Sequence, residues 1–129
     1  MADRSTLTIA LALMISTMTP TTPAAAADPC ARYVDMARAI GWPKSERGNL
    51  RRIIWRESRC RPTAYNPRDP WGGSYGLMQI NGSNVGLATR HDYIRNADDL
   101  LDPRRNLKTA LELWKLYGWR PWAGSSTAP

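Results

Sequence analysis

A chain of 129 residues with 43% hydrophobic and 22% charged side chains has the size and polarity of one globular domain, which excludes a disordered or multi-domain chain. Eighteen lysines and arginines against eleven acidic side chains give a net charge of +7, so the natural partners are polyanions. So short a chain holds one small core.

The first stretch has Arg4 near its start, an apolar run from Leu7 to Met18, a Pro/Thr-rich spacer and the small-residue run Ala24 to Ala27. This pattern predicts a secretory signal over residues 1–27, because the apolar run is shorter than the roughly 20 residues that span a bilayer. The leader carries one acid and one base, Asp3 and Arg4, so its removal leaves the net charge unchanged and leaves no stable membrane anchor. Outside a bacterium, the polyanions that meet such a protein are envelope polymers such as teichoic acids and the acidic peptide stems of peptidoglycan. Nucleic acid is the competing polyanion. It is not expected as a partner, because the arginines of the second predicted helix are accounted for as its solvated face.

Asp28 and Pro29 form a cap and first-turn pair, and Cys30, Val34, Ala37 and Ile40 recur at helical spacing, predicting a first helix that ends before Gly41. Cys30 and Cys60 are the two cysteines. Both lie beyond the leader, so one connectivity is possible and a disulfide is expected, with two unpaired buried thiols as the alternative. After Pro43 a second helix is predicted from about Glu46 to Ser58, capped by Ser45. From Thr63 to Asn81 the helical period gives way to Pro, Gly, Asn and Asp, as in turns and a short hairpin. Residues 83–101 predict one or two short helices. Asp102 and Pro103 repeat the cap signal, and Leu107, Ala110, Leu111 and Trp114 form an apolar stripe that stops at Gly118, predicting the last helix. The domain is expected over residues 28–122, with 123–129 a flexible tail.

The second helix carries a carboxylate on its inner face. Leu50, Ile53, Ile54 and Glu57 fall at i, i+3, i+4 and i+7, with Arg52, Arg56 and Arg59 opposite. An acid on the buried stripe loses hydration and so suits a general acid. The competing reading is a marginal glutamate paired with a neighbouring arginine. Gln79 and Asn81 lie two apart, so in a strand they share a face able to hydrogen-bond sugar hydroxyls and acetamido groups.

Glu57-Ser58, Ala64-Tyr65-Asn66 and Ser74-Tyr75-Gly76-Leu77-Met78-Gln79-Ile80-Asn81, in that order and spacing, resemble the soluble lytic transglycosylase family of lysozyme-like domains. The resemblance extends through Leu101-Asp102-Pro103 and Asn106 to the last helix. It implies an α+β, mainly helical lysozyme-like fold with a small β-hairpin beside a substrate cleft, and Glu57 as the catalytic acid/base. By residue-by-residue transfer it places Ser74 and Gln79 in the cleft, with Gly76 and Met78 shaping the strand beside it, and peptidoglycan glycan strands as substrate; Tyr75 and Asn81 complete the expected substrate-binding set from their own chemistry, and a monomer without cofactor is expected. Many members carry a Tyr-Asn pair near the C-terminus that orients the glutamate. Here Tyr117 is followed by Gly118, so Tyr117 is the partial substitute. The tryptophan-rich ending is similar to resuscitation-promoting factors, another peptidoglycan-cleaving group.

Asp69 is the second carboxylate to weigh, as a water-positioning group of a hydrolase or as a turn former in Pro-Arg-Asp-Pro. Trp71, Tyr75 and Trp122 are candidates to stack on sugar rings, whereas Trp42, Trp55 and Trp114 are expected in the core or beside the disulfide. His91 has no cysteine or histidine at ligand spacing, so no metal site is expected. Rival functions are a non-catalytic sugar-binding module, a nucleic-acid binder and a membrane-perturbing cationic peptide.

Overall fold

The computed structural model describes residues 19–124. The predicted leader lies outside the described residues through position 18, and residues 19–27 are exposed chain without regular structure. Of the predicted tail, residues 125–129 also lie outside.

Helix α1 spans Ala31–Ile40 and buries Tyr33, Val34 and Ala37. Asp28 stands two residues before the cap position, Cys30, its carboxylate accepting from the Cys30 N–H at 3.0 Å. Gly41 ends the helix at φ 122°, a conformation that only glycine adopts at little cost. A 3₁₀ turn, Lys44–Glu46, leads into helix α2, Arg47–Ser58. Ser45 is therefore inside that turn and caps nothing, because the chain enters the helix through the turn's own backbone bonds. Helix α2 buries Leu50, Ile53, Ile54 and Ser58 and ends with Arg59 and Cys60 both left-handed, at φ 55° and 59°. Cys60 is bonded to Cys30 across 5.2 Å between Cα atoms, joining the end of α2 to the start of α1. Closing a loop of 30 residues stabilises by about 3–4 kcal/mol in the chain-entropy account.

The expected hairpin is present as β2 Ser74–Tyr75 and β3 Ile80–Asn81, and β1 Tyr65–Asn66 extends it to a three-stranded antiparallel sheet in chain order. A 3₁₀ turn (Gly82–Asn84), helix α3 (Val85–Arg90) and a second 3₁₀ turn (Ala97–Leu101) follow. Helix α4, Pro103–Tyr117, begins as predicted, with Pro103 in the first turn and the Asp102 carboxylate accepting from the Arg105 N–H. The 3₁₀ turn Arg120–Trp122 then brings the chain back to α2.

Helices α1 and α2 pack together and α1 packs on α4, with Leu50, Ile54, Leu107 and Trp42 fully buried between them. Each aliphatic side chain so buried stabilises by about 1.5–3 kcal/mol. Trp42 lies within 5.6 Å, centroid to centroid, of both Trp114 and Trp119, and its indole donates to the Leu107 carbonyl. Trp55 departs from the core expected of it. It is exposed, with the Arg59 guanidinium over its ring, because it sits a third of a turn away from the Leu50–Ile54 stripe.

The sheet is joined to α4 by one buried amide. Asn106 accepts from the Met78 N–H at 2.9 Å and donates to the carbonyls of Tyr75 and Leu100 at 2.8 and 2.9 Å. Gly76 lies against this amide, at φ +73°, where a Cβ would stand 2.4 Å from both Asn106 Nδ2 and the Leu100 oxygen.

Candidate active site

A cleft of about 370 Å³ opens between the end of α2, the sheet and the Arg120–Trp122 turn. Glu57 lies at its base, with its side chain 6% exposed. The helix that buries Ile53 and Ile54 carries Glu57 inward on the same stripe, as the spacing predicts.

Arg56, expected on the opposite face, instead turns its guanidinium back. Its Nε and Nη2 donate to Glu57 Oε1 at 3.0 and 2.8 Å, and Nη2 also donates to the Trp122 carbonyl. Both readings of Glu57 thus hold together: the carboxylate is buried and it is paired with the arginine beside it. Trp122 is held at the other end as well, its indole donating to the Met78 carbonyl at 2.8 Å.

The wall facing this turn follows from strand register. Asn66 pairs with Ser74, and Ser74 with Asn81, so these three side chains form one row across the sheet and all line the cleft. The adjacent row, Tyr65, Tyr75 and Ile80, points to the other face by the two-residue period. This corrects the placement of Tyr75: it is buried with its ring 4.8 Å from that of Tyr65, behind the cleft wall.

Gln79 and Asn81 both line the cleft, but a shared strand face is not the reason for Gln79. It precedes β3 at φ 48°, and its amide donates to the carbonyls of Ala64 and Gly76. Met78 is fully buried and Gly76 is packed on Asn106. Neither lines the cleft; they support its wall through the backbone. Tyr117, half exposed at the end of α4, is also absent from the lining, because the Tyr117–Gly118 segment ends the helix before the chain turns back to α2.

Asp69 belongs to the cleft and is also a turn former. Oδ2 accepts from Ser74 Oγ at 2.5 Å and from Asn81 Nδ2 at 2.6 Å, while Oδ1 accepts from the Trp71 N–H at 2.9 Å. Trp71 flanks the opening with 68% of its surface exposed.

No site role for Asn106 or Asn66 is legible in the sequence beyond their place in the resemblance, and Arg56 reads there as an outer-face residue or a surface partner of Glu57. Asn106 had a signal like that of Glu57, a polar residue at i with Ala110 and Leu113 at i+4 and i+7 on the buried stripe. The bond from Arg56 to Trp122 had none, since the partners are 66 positions apart. Among the described residues no group of three or more His, Cys, Asp or Glu is placed to hold a metal, and no helix is long and apolar enough to cross a membrane.

The transglycosylase SLT domain family model matches residues 37–118, well over half of the chain. The chain belongs to the SLT domain family. The match takes in Glu57 and the whole sheet and stops at Gly118, ahead of the Arg120–Trp122 turn that completes this domain's cleft. At the level of the family, the SLT domain brings peptidoglycan-cleaving, lytic-transglycosylase-like activity, with glycan strands as substrate. No curated protein and no solved structure matches the chain.

Proposed function

We propose that this SLT domain, over residues 28–122, is an exported monomeric enzyme that cuts the β-1,4 bond between N-acetylmuramic acid and N-acetylglucosamine, with Glu57 as general acid and then base. The Glu57 carboxyl donates its proton to the leaving glycosidic oxygen while the substrate's acetamido group supports the developing positive charge at C1. The resulting carboxylate then takes the proton of the C6 hydroxyl as that oxygen bonds to C1, leaving a 1,6-anhydromuramyl end. The disulfide and the basic surface fit an extracytoplasmic, wall-associated location.

The observation that carries this reading is the unequal standing of the two cleft carboxylates. Glu57 lies at the base, oriented by a guanidinium, while three protein donors converge on the two oxygens of Asp69. With Asp69 engaged as a structural acceptor, the substrate's own groups serve as the second participant. Asn66, Ser74, Gln79 and Asn81 supply polar contacts to the sugar, and Trp71 offers a flat apolar face.

Mass spectrometry of soluble products from purified peptidoglycan tests the proposal, with Glu57→Gln as control. Anhydro-muropeptides from the wild type, reduced by at least about 100-fold in the variant, are expected. One observation favours a second reading, namely that Asp69 lines the same cleft as Glu57. Reducing-end products would establish hydrolysis and give Asp69 the water. Release of neither product by the folded wild type would leave a wall-binding module.

A further inference from the structure

Arg56 and Glu57 are neighbours in the chain, so they leave α2 in different directions, and each side chain turns about several bonds. A bond between two such side chains fixes neither by itself, because the pair can swing together. The point that holds them is the Trp122 carbonyl, which accepts from the same Arg56 Nη2 that donates to Glu57. That carbonyl is itself firmly placed. The Trp122 N–H donates to the Trp119 carbonyl at 3.0 Å, and its buried indole donates to the Met78 carbonyl at 2.8 Å. Trp119 meets the Trp122 ring edge-on at 5.6 Å, stacks on Trp42 at 5.6 Å and donates its indole N–H to Glu46 Oε2 at 2.8 Å. Glu46 stands at the entry to α2 and Glu57 near its exit, so segment 119–122 is braced against both ends of the helix that carries the acid.

We propose that segment 119–122 sets the orientation of the Glu57 carboxylate through Arg56, which makes Trp122 and Arg56 positioning residues of the reaction. The inference rests on the proposed cleavage with Glu57 as acid and base. Proton transfer needs the carboxyl within hydrogen-bond reach of the leaving oxygen, and a misplacement of about 1 Å costs as much as about 100-fold in rate. A guanidinium suits the relay, because its planar set of donors serves the carboxylate and a backbone carbonyl at once. The acid within the matched residues is thus aimed by residues that follow the match, which ends at Gly118.

Steady-state kinetics on soluble peptidoglycan strands, with folding checked by circular dichroism, test the proposal. Arg56→Ala is expected to lower kcat about 30-fold with KM within about twofold. The Arg56 side chain is 25% exposed and borders an open groove behind Trp122, so added ethylguanidinium should restore part of that loss and ethylammonium none. Trp122→Phe keeps an aromatic ring and removes the donor to Met78. It should lower kcat about fivefold in the wild-type background and less than about twofold on top of Arg56→Ala, because the turn acts through the arginine. Arg56→Lys keeps the charge without the planar fork. It should stay about tenfold below wild type, and it takes the alanine variant's place in the cycle if that variant is unfolded. An unchanged kcat in Arg56→Ala, independent effects of the two substitutions, a loss carried by KM alone, or equal rescue by both cations would each overturn the inference while leaving Glu57 as the acid. A folded wild type that releases no product sinks the enzyme reading and the positioning role with it.

Discussion

The helices α1, α2 and α4 meet through apolar stripes, whereas the sheet and its turns are held by side chains bonded to distant backbone. On the helical side, Leu50, Ile54, Trp42 and Leu107 fill the interface. On the sheet side, three groups of the Asn106 amide and three acceptor contacts of Asp69 do comparable work across strands of two residues each. The contrast shows how a small domain builds a polar cleft. Apolar packing supplies a rigid mount for Glu57, and a region too short for regular pairing is fixed by specific amides, which leaves its other polar groups facing the cleft.

The largest expected effect tests whether the sheet depends on hydrogen bonding. Asn106→Leu keeps the side chain's approximate volume and strands three buried backbone groups, so unfolding by urea is expected to show a loss of about 4 kcal/mol. A loss under about 1 kcal/mol would erase the distinction between the two regions. A smaller effect is expected at the rim, where Trp71→Ala removes an exposed ring. Stability should stay within about 0.5 kcal/mol while KM for glycan strands rises about fivefold with little change in kcat. A fall in kcat alone would place Trp71 nearer the chemistry than a stacking platform.

The smallest effect probes a polar tie within the helical region. The Arg51 side chain bonded to Asp28, and next the Cys30 N–H, hold the Asp28 carboxyl below the ordinary carboxylate range. A depressed value stabilises the folded state at neutral pH. That contribution is fully present above the unfolded carboxyl's value and is lost as pH falls through the lowered one. Asp28→Asn should therefore flatten the acid limb of a melting-temperature profile. An unchanged acid limb would show that the tie carries no weight.

The two regions were also unequally legible. Asp102, Pro103 and Gly118 bracket α4 at positions whose local chemistry suffices, and the stripe Leu50, Ile53, Ile54 already carries Glu57 inward. Strands of two residues give no alternation to read, so β1 stayed hidden in the turns and Tyr75 was assigned to the cleft, although register puts it on the reverse face. Ser74 and Asn81 were found, but their engagement with Asp69 depends on contacts across 5 and 12 positions that no local pattern encodes. Arg56 was misplaced for a similar reason: its Cα direction marks the outer face, but its long side chain reaches around to Trp122.

The contact of Gly76 with Asn106 governs how such a chain can vary. A methyl at 76 meets the amide and the Leu100 oxygen at 2.4 Å, and any change at 106 releases three backbone partners. These two positions are locked to each other. Changing both at once does not open that lock, because the Leu100 backbone oxygen still meets a side chain at 76 whatever stands at 106, so both positions are held fixed. Trp71 stands outside it, so the rim of the cleft is open to one-step retuning while the frame beneath stays fixed.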